Sequence, residues 1–323
     1  ILEIQREWTE QLKKCDEVEL YIIKSTVIIA GTCTGFVSNR IIRDVEFDYV
    51  IVDEAAKATF PELAVSLNKA HKIILVGDHQ QLPPVLDTEI IRNNKEKLDE
   101  EGLAQGFFER MYNMFPEDNK HRLTIQYRMH PTIGTLISHV FYNDEIQNGV
   151  EAQDRELCIE GYEGIAIEWI STSKYSTKER YEKEFDNNGK KSYQNYLERN
   201  IVERKLLELD SKLVKRTKVA VITGYGSQKY ILQTMVKQHS FKHIEVDVDT
   251  VDAFQGSQKD IILYSTVRSS GNKYGIGFLK SEARINVAFS RARCLLIIVG
   301  DMKFLDNYKI RGNKFPEIIK YIT

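Results

Sequence analysis

DYVIVDEAA, residues 48–56, is the stretch on which the fold turns. Tyr49 to Val52 form an unbroken apolar run that stops at two carboxylates, Asp53 and Glu54. An apolar run without polar alternation suits a strand covered on both faces, as in a parallel sheet. HKIILVGD (71–78) repeats the pattern and ends on Asp78. STVIIAG (25–31) is expected to be a third such strand, and residues 1–24, with Ile4, Trp8, Leu12 and Cys15 at helical spacing, an amphipathic helix.

Further along, RLTIQYR (122–128), GIAIEWIS (164–171), KVAVITGY (218–225), IEVDVDTV (244–251), KDIILYSTV (259–267) and CLLIIVGD (294–301) read as strands. GFFERMYNMF (106–115) and NYLERNIVERKLLELD (195–210) read as helices, the second as a solvated packing helix. Strands alternating with helices predict an α/β fold with parallel sheets. A polar run after Pro116 suggests a linker, so the expected domains are 1–115 and 116–323. The first has too few strands for a complete sheet. The charged stretch 172–191 reads as a solvated loop or insertion.

Composition narrows the function. The 323 residues are 42% apolar and 28% charged, which excludes a largely disordered chain. Lys and Arg number 45 against 47 Asp and Glu, for a net charge of −2. Any contact with nucleic acid must therefore come from a local groove. Cys15, Cys33, Cys158 and Cys294 lack C-x-x-C spacing, so a zinc ribbon or disulfide scaffold is not suggested. A reducing, cytoplasmic setting is expected. No apolar run approaches membrane-spanning length. The start lacks a signal-peptide pattern and an initiator Met, which suggests a piece of a longer protein.

The strand ends carry the candidate chemistry. In open α/β sheets ligands bind beyond the carboxyl ends of strands. Asp53 and Glu54 there suit a Mg²⁺-nucleotide site, one carboxylate for the metal and one to polarise water. Their plainer reading is an exposed acidic pair. Asp78 and Gln81 in GDHQQLPPV (77–85) follow a second strand, and a Gln at such a place can orient water. QYRMHP (126–131) offers the Tyr127 ring for stacking and the Arg128 charge for a phosphate, before a Pro-initiated helix. NVAFSRAR (286–293) places Arg291 and Arg293 at a helix end, either as charge stabilisers in a cleft or as a basic helix cap.

GTCTGF (31–36), VIVDEAA, GDHQQLPPV, QYRMHP, VDAFQG (251–256) and NVAFSRAR occur in one order. In that order the chain resembles the superfamily 1 helicases, 1B branch, most of all those grouped with the RNA helicase of nonsense-mediated decay and its DNA-acting relatives. The resemblance covers about residues 25–300. It implies two RecA-like domains of the P-loop NTPase type, the first incomplete at its N-terminus, with ATP between them and a single strand of DNA or RNA across their top. By matching position, Asp53 would hold Mg²⁺ and Glu54 would be the catalytic base. Gln81 would meet the γ-phosphate or the water, Tyr127 would stack near adenine, and Arg128 and Arg291 would reach phosphate. Asp78, Gln255, Gly256 and Gln258 fall in nucleotide-proximal segments, and Thr32, Thr34 and Thr250 match positions that touch the nucleic-acid backbone. The direction implied is 5′ to 3′.

Three departures stand out. No G-x-x-x-x-G-K-[ST] phosphate loop occurs in the chain; NNGKKS (187–192) has Glu184 where the first Gly belongs. In the family that loop precedes the DEAA strand, so it is expected upstream of Ile1. The chain by itself is expected to bind ATP poorly and to hydrolyse it hardly at all. Gln258 stands where the family usually has Glu, and Gly224 where Pro is more usual. The alternative is a catalytically dead module that binds single strands or a partner protein. Two decoys are set aside: GYGSQK (224–229), a dinucleotide-loop imitation with Lys229 for its third Gly and Asp249 as the ribose acid, and HSFKH (239–243), whose His239 and His243 read as surface histidines rather than metal ligands.

Overall fold

A computed structural model describes residues 1–12, 16–42, 45–84, 106–187, 190–270 and 275–323. The chain divides into two compact units, Ile1–Lys120 and His121–Thr323. Cys15, the Asn188–Gly189 step of NNGKKS and the polar stretch 85–105 lie outside the described residues.

In the first unit, β1 (Phe47–Val52) and β2 (Ala70–Leu75) pair in parallel, Val52 opposite Leu75. The helix Phe60–Leu67 connects them, opened by a Thr59–Glu62 capping box with Pro61 in its first turn. Val52, Ala55, Ala56, Leu63 and Phe108 make the small core, and the helix Phe107–Met114 supplies Phe108. Residues 1–24 are helical over Leu2–Leu12 and Asp16–Ser25, and Ile4 and Trp8 are exposed. One expectation fails here. STVIIAG is not a strand, and Val27 and Ile28 are almost fully exposed. Its apolar pattern promises a strand, but the described sheet of this unit contains only β1 and β2, and a strand without a ladder leaves its backbone groups to water.

The second unit is built on five parallel strands: β5 (Ile167–Ser171), β8 (Thr217–Thr223), β9 (Ile244–Thr250), β10 (Lys259–Ser265) and β11 (Ala292–Gly300). They lie in one sheet in the order β5-β11-β10-β8-β9. The order is legible in the residues. β10 and β11 carry IILY and LLIIV because both faces are covered, whereas β9 alternates Ile, Val and Val with Glu245, Asp247 and Asp249, as an edge strand does. Val219, Val221, Ile261, Leu263, Leu295 and Ile297 pack against Val202, Leu206 and Leu209 of the helix Tyr196–Lys212 in the main core. The fold is thus α/β of RecA-like type.

RLTIQYR shortens to the two-residue β3 (Ile125–Gln126), paired with β4 (Gln147–Asn148). The charged stretch 172–191 is exposed at most of its described positions, as expected, but it is folded and not an open loop. It holds the short helix Thr177–Arg180, and an antiparallel hairpin of β6 (Lys183–Asn187) and β7 (Lys190–Gln194). The reason is a buried partner. Arg268, just past β10, is inaccessible, and Glu182 from the charged stretch lies 3.1 Å from its Nε.

Beyond the same strand ends sits Glu198, fully buried. Its carboxyl accepts from Ser265 Oγ (2.6 Å), Val267 N (2.9 Å) and Thr266 Oγ1 (3.2 Å). Burial nevertheless dominates those donors and, with Glu182 adding like charge, pushes the group up from 4.5 to about 8. The folded state then holds a proton that the unfolded state releases, so stability falls as pH rises from about 4.5 to about 8. Urea unfolding across that window should show the fall, and Glu198→Gln should flatten it. An equally steep profile in the Gln variant would assign the dependence to other groups.

Candidate functional site

In the first unit, the DEAA turn and the GDHQQ turn lie side by side just past β1 and β2. Val76 N–H donates to the Val52 carbonyl (2.8 Å) and Ala55 N–H to the Val76 carbonyl (2.8 Å), so the ladder continues beyond the strands. Ala55 is fully buried and anchors the turn. Gly77 is required, since a Cβ there would lie 2.8 Å from the Ala56 nitrogen. Asp53 and Glu54 are left exposed. Glu54 has φ of 54°, the left-handed region, which costs a non-glycine residue about 1–2 kcal/mol. Backbone strain of this kind collects at functional positions. Asp53 Oδ1 accepts the Glu54 N–H (2.9 Å). An exposed carboxylate at a strand's carboxyl end fits Mg²⁺, which takes one or two protein carboxylates and fills its shell with phosphate and water.

Asp78 shapes the neighbouring turn. Its Oδ1 accepts the Gln80 N–H (3.0 Å), and its Oδ2 holds the Gln81 carboxamide Nε2 (2.8 Å). Asp78 therefore aims Gln81, which is half-buried. Thr32 caps the helix Cys33–Ser38, its hydroxyl accepting from Gly35 N (3.0 Å), and Thr34 is exposed beside it. Cys33 packs on the Val52–Ala55 core, which ties this helix to the acidic turn.

The second unit brings QYRMHP and NVAFSRAR together. Gln126 is the staple of the first. Its Oε1 accepts the N–H groups of Arg128 (2.9 Å) and Met129 (2.8 Å), and its Nε2 donates to the Met129 carbonyl (3.0 Å) and Asn148 Oδ1 (2.7 Å). Gly134 leaves room for that pair, since a Cβ there would overlap Asn148 Oδ1. Arg155 holds the backbone from outside, donating to the carbonyls of Arg128 (2.9 Å) and Tyr127 (2.7 Å). Tyr127 is 63% exposed, free to offer a face. His130 Nδ1 accepts from Thr132 N (3.2 Å) and caps the helix Pro131–Phe141; burial holds this imidazole below its ordinary range, which suits an acceptor.

Two bonds link the motifs. His130 N–H donates to the Arg293 carbonyl (2.7 Å), and Arg128 Nη1 to the Ser290 carbonyl (3.3 Å). Arg291 is 2% exposed, and its Nε donates to the Val287 carbonyl (3.1 Å) at the end of the helix Glu282–Phe289. In this structure it serves as the basic helix cap. Arg293 pairs with Asp260 (3.0 Å).

Thr250 ends β9, and VDAFQG follows as a turn anchored by buried Val251 and Phe254. Gly256 has φ of +82°, a conformation for glycine. Among the described residues the buried Gln255 Oε1 has no hydrogen-bond partner, and leaving a buried acceptor unmatched costs about 1–3 kcal/mol. Gln258 is exposed. Asp252 of this turn pairs with Arg284 (3.2 Å). Gly224 lies against Phe278, where a Cβ would come within 3.3 Å of the Phe278 Cβ.

The decoys dissolve in the geometry. Asp249 is paired with Lys229 (2.8 Å), His239 with Glu203 (2.7 Å), and His243 Nδ1 bonds the Asp210 carbonyl (2.9 Å). Sequence reasoning assigned no role to Gln126 or Arg155. Gln126 stands inside a recognised string; Arg155 carries no signal, because it acts on main-chain carbonyls 27 and 28 residues away.

Two family models, each described as an AAA domain, match residues 2–89 and 103–303, the second covering more than half of the chain. A "Regulator of nonsense transcripts 1 homolog" of Neurospora crassa is 34% identical over 301 residues, 91% of this chain and 26% of its own length. "ATP-dependent helicase NAM7" of Saccharomyces cerevisiae is 34% identical over 299 residues, 91% of this chain and 29% of its own length. An uncharacterized ATP-dependent helicase of Methanocaldococcus jannaschii is 30% identical over 332 residues, 98% of this chain and 43% of its own length. The chain thus spans between about a quarter and under half of these relatives. The second of the two family models places the chain in the AAA-domain family, and with its six ordered motifs the chain is similar to the ATP-dependent helicases and regulators of nonsense transcripts just named.

Proposed function

We propose that this chain is the motor portion of an ATP-dependent helicase that moves along single-stranded DNA or RNA, 5′ to 3′, in a cytoplasmic setting. The observation that carries the reading is the exposed Asp53–Glu54 pair beyond β1, with Glu54 held in the left-handed region beside the Asp78-braced Gln81. Asp53 would hold Mg²⁺, whose chemistry is to neutralise charge on the phosphates. Glu54 takes the proton of the attacking water, and Gln81 orients that water. In the second unit Tyr127 offers its ring to adenine and Arg128 its charge to phosphate. Gln255, Gly256 and Gln258 contribute to nucleotide contact, and Arg291 acts as a finger once it exchanges the Val287 carbonyl for phosphate. Thr32, Thr34 and Thr250 grip the strand backbone without reading sequence.

The alternative is a module that grips single strands without turnover. Turnover assays separate the two. The chain alone should hydrolyse ATP near background, and a polypeptide joining it to such a loop should gain turnover stimulated by single strands. Strand binding in both forms with no turnover in either would sink the motor reading and leave the module.

A further inference from the structure

The stretch 172–191 is not used by the motor reading, yet it is folded, anchored and charged in a particular way. Its anchors run along the carboxyl edge of the five-stranded sheet. Arg180 reaches Asp301 beyond β11 (3.2 Å), Glu182 accepts the N–H groups of Ser269 (3.0 Å) and Ser270 (2.9 Å) beyond β10, and Gln194 donates to the Ser227 carbonyl beyond β8 (3.1 Å). Thr250 ends β9 on the same edge. With strands about 4.8 Å apart, the edge of five spans about 19 Å.

Three carboxylates of the stretch are turned to internal uses. Glu179 accepts from the Ser176 hydroxyl (2.6 Å) and N–H (3.1 Å), Glu182 is buried against Arg268, and Glu184 takes Lys191 (2.5 Å) and the Tyr193 hydroxyl (3.0 Å). Lys174, Lys178 and Lys183 are exposed, and among the described residues none of the three forms an ion pair. Tyr181, Phe185 and Tyr196 are 42%, 39% and 47% exposed, and Lys183 Nζ lies 5.4 Å from the Tyr196 ring. Half-exposed rings interleaved with cations match the stacking-and-phosphate surfaces that hold single strands. In a chain of net charge −2, residues 172–191 carry six Lys and Arg against four Asp and Glu, a local basic excess of the kind such binding requires.

We propose that the 174–196 hairpin face is a second contact for single-stranded nucleic acid, with backbone phosphates on Lys174, Lys178 and Lys183 and bases stacked on Tyr181, Phe185 and Tyr196. It rests on the nucleic-acid part of the motor reading and extends the strand's path along the sheet edge from Thr250. The test is fluorescence anisotropy of a labelled oligo-uridylate titrated with the 323-residue chain at several salt concentrations. Replacing all three lysines (Lys174→Gln, Lys178→Gln, Lys183→Gln) should make the log–log salt dependence shallower by about 2, at about 0.7 per phosphate contact. Tyr181→Ala and Tyr196→Ala should each weaken binding on the order of fivefold or more, with the salt slope unchanged. Wild-type affinity and slope in all these variants, alongside weakened binding by Thr250→Val, would overturn the hairpin contact and leave the motor reading standing. A wild-type chain that binds no single strand at any salt would overturn both. Circular dichroism should be unaltered in the lysine and tyrosine variants, because only exposed side chains change there, and photocrosslinking of an iodouridine oligomer to Tyr181 or Tyr196 gives an independent readout.

Discussion

Replacing Glu182 with alanine should cost the second unit about 3–5 kcal/mol of stability, the usual effect of leaving one member of a buried ion pair behind. The Glu182 side chain is 1% exposed and that of Arg268 is inaccessible. Arg268 enters this site from the loop after β10, stacks at 4.0 Å on the Tyr193 ring and donates to the Gly275 carbonyl (2.5 Å). Those contacts orient the guanidinium, but Glu182 supplies the countercharge. The carboxylate also accepts two backbone N–H groups and the Ser270 hydroxyl (2.6 Å), so its loss leaves several donors unmatched. The expected result is a large drop in the urea midpoint followed at Trp169, which sits in β5. Replacing both residues, Glu182→Ala with Arg268→Met, should recover much of the loss, because no charge is then stranded. A wild-type midpoint in Glu182→Ala would mean that the hairpin is held by its hydrophobic contacts and not by this pair.

The same pair explains what the sequence could and could not convey. The strands of the second unit were legible because parallel strands covered on both faces write themselves as apolar runs, and even the edge position of β9 is written in its alternation with Glu245, Asp247 and Asp249. Glu182 was not legible. In the sequence it is one acid among Lys178, Glu179, Arg180, Lys183 and Glu184, and charge runs read as solvent-facing. Only the partner 86 residues later, brought in by the parallel crossover, makes it a buried residue. STVIIAG failed in the opposite sense: its apolar pattern records a capacity to be a strand, and a strand exists only where a neighbour completes its ladder.

The candidate site divides in the same way. Asp53 and Glu54 could be placed from sequence because they come directly after an apolar strand, whose end fixes the position of the first residues beyond it, and Asp78 and Gln81 follow the next strand within one turn segment. That Asp78 aims Gln81, and that Gln126 and Arg155 hold the main chain around Tyr127 and Arg128, emerges only from hydrogen bonds between short polar side chains and backbone. Such bonds depend on turn geometry, which has no period for a sequence to display. Arg291 is the instructive middle case. Both of its sequence readings were chemically sound, and the structure has its Nε on the Val287 carbonyl, as a cap.

In a polypeptide that joins this chain to a phosphate loop, Glu54→Gln should lower ATP turnover by about 10²–10⁴-fold, the range for loss of a general base, with nucleotide affinity little changed. Glutamine keeps the size and the hydrogen-bonding oxygen but cannot take a proton, while Asp53, on the proposed reading, would still be there to hold Mg²⁺. The backbone should tolerate the exchange, because the left-handed conformation at position 54 is imposed from both sides: Ala55 is buried and bonded to the Val76 carbonyl, and Asp53 holds the residue's own N–H. A merely structural Glu54 predicts a different pattern, and Glu54→Gly exposes it. Glycine relieves a φ of 54°, so that variant should unfold later by about 1 kcal/mol while turning over no faster than the Gln variant. Higher stability with lost turnover would mark strain kept for chemistry. Turnover that survives in Glu54→Gln would remove Glu54 as the base, and lost stability in Glu54→Gly would mean that the side chain, not the backbone geometry, holds the turn.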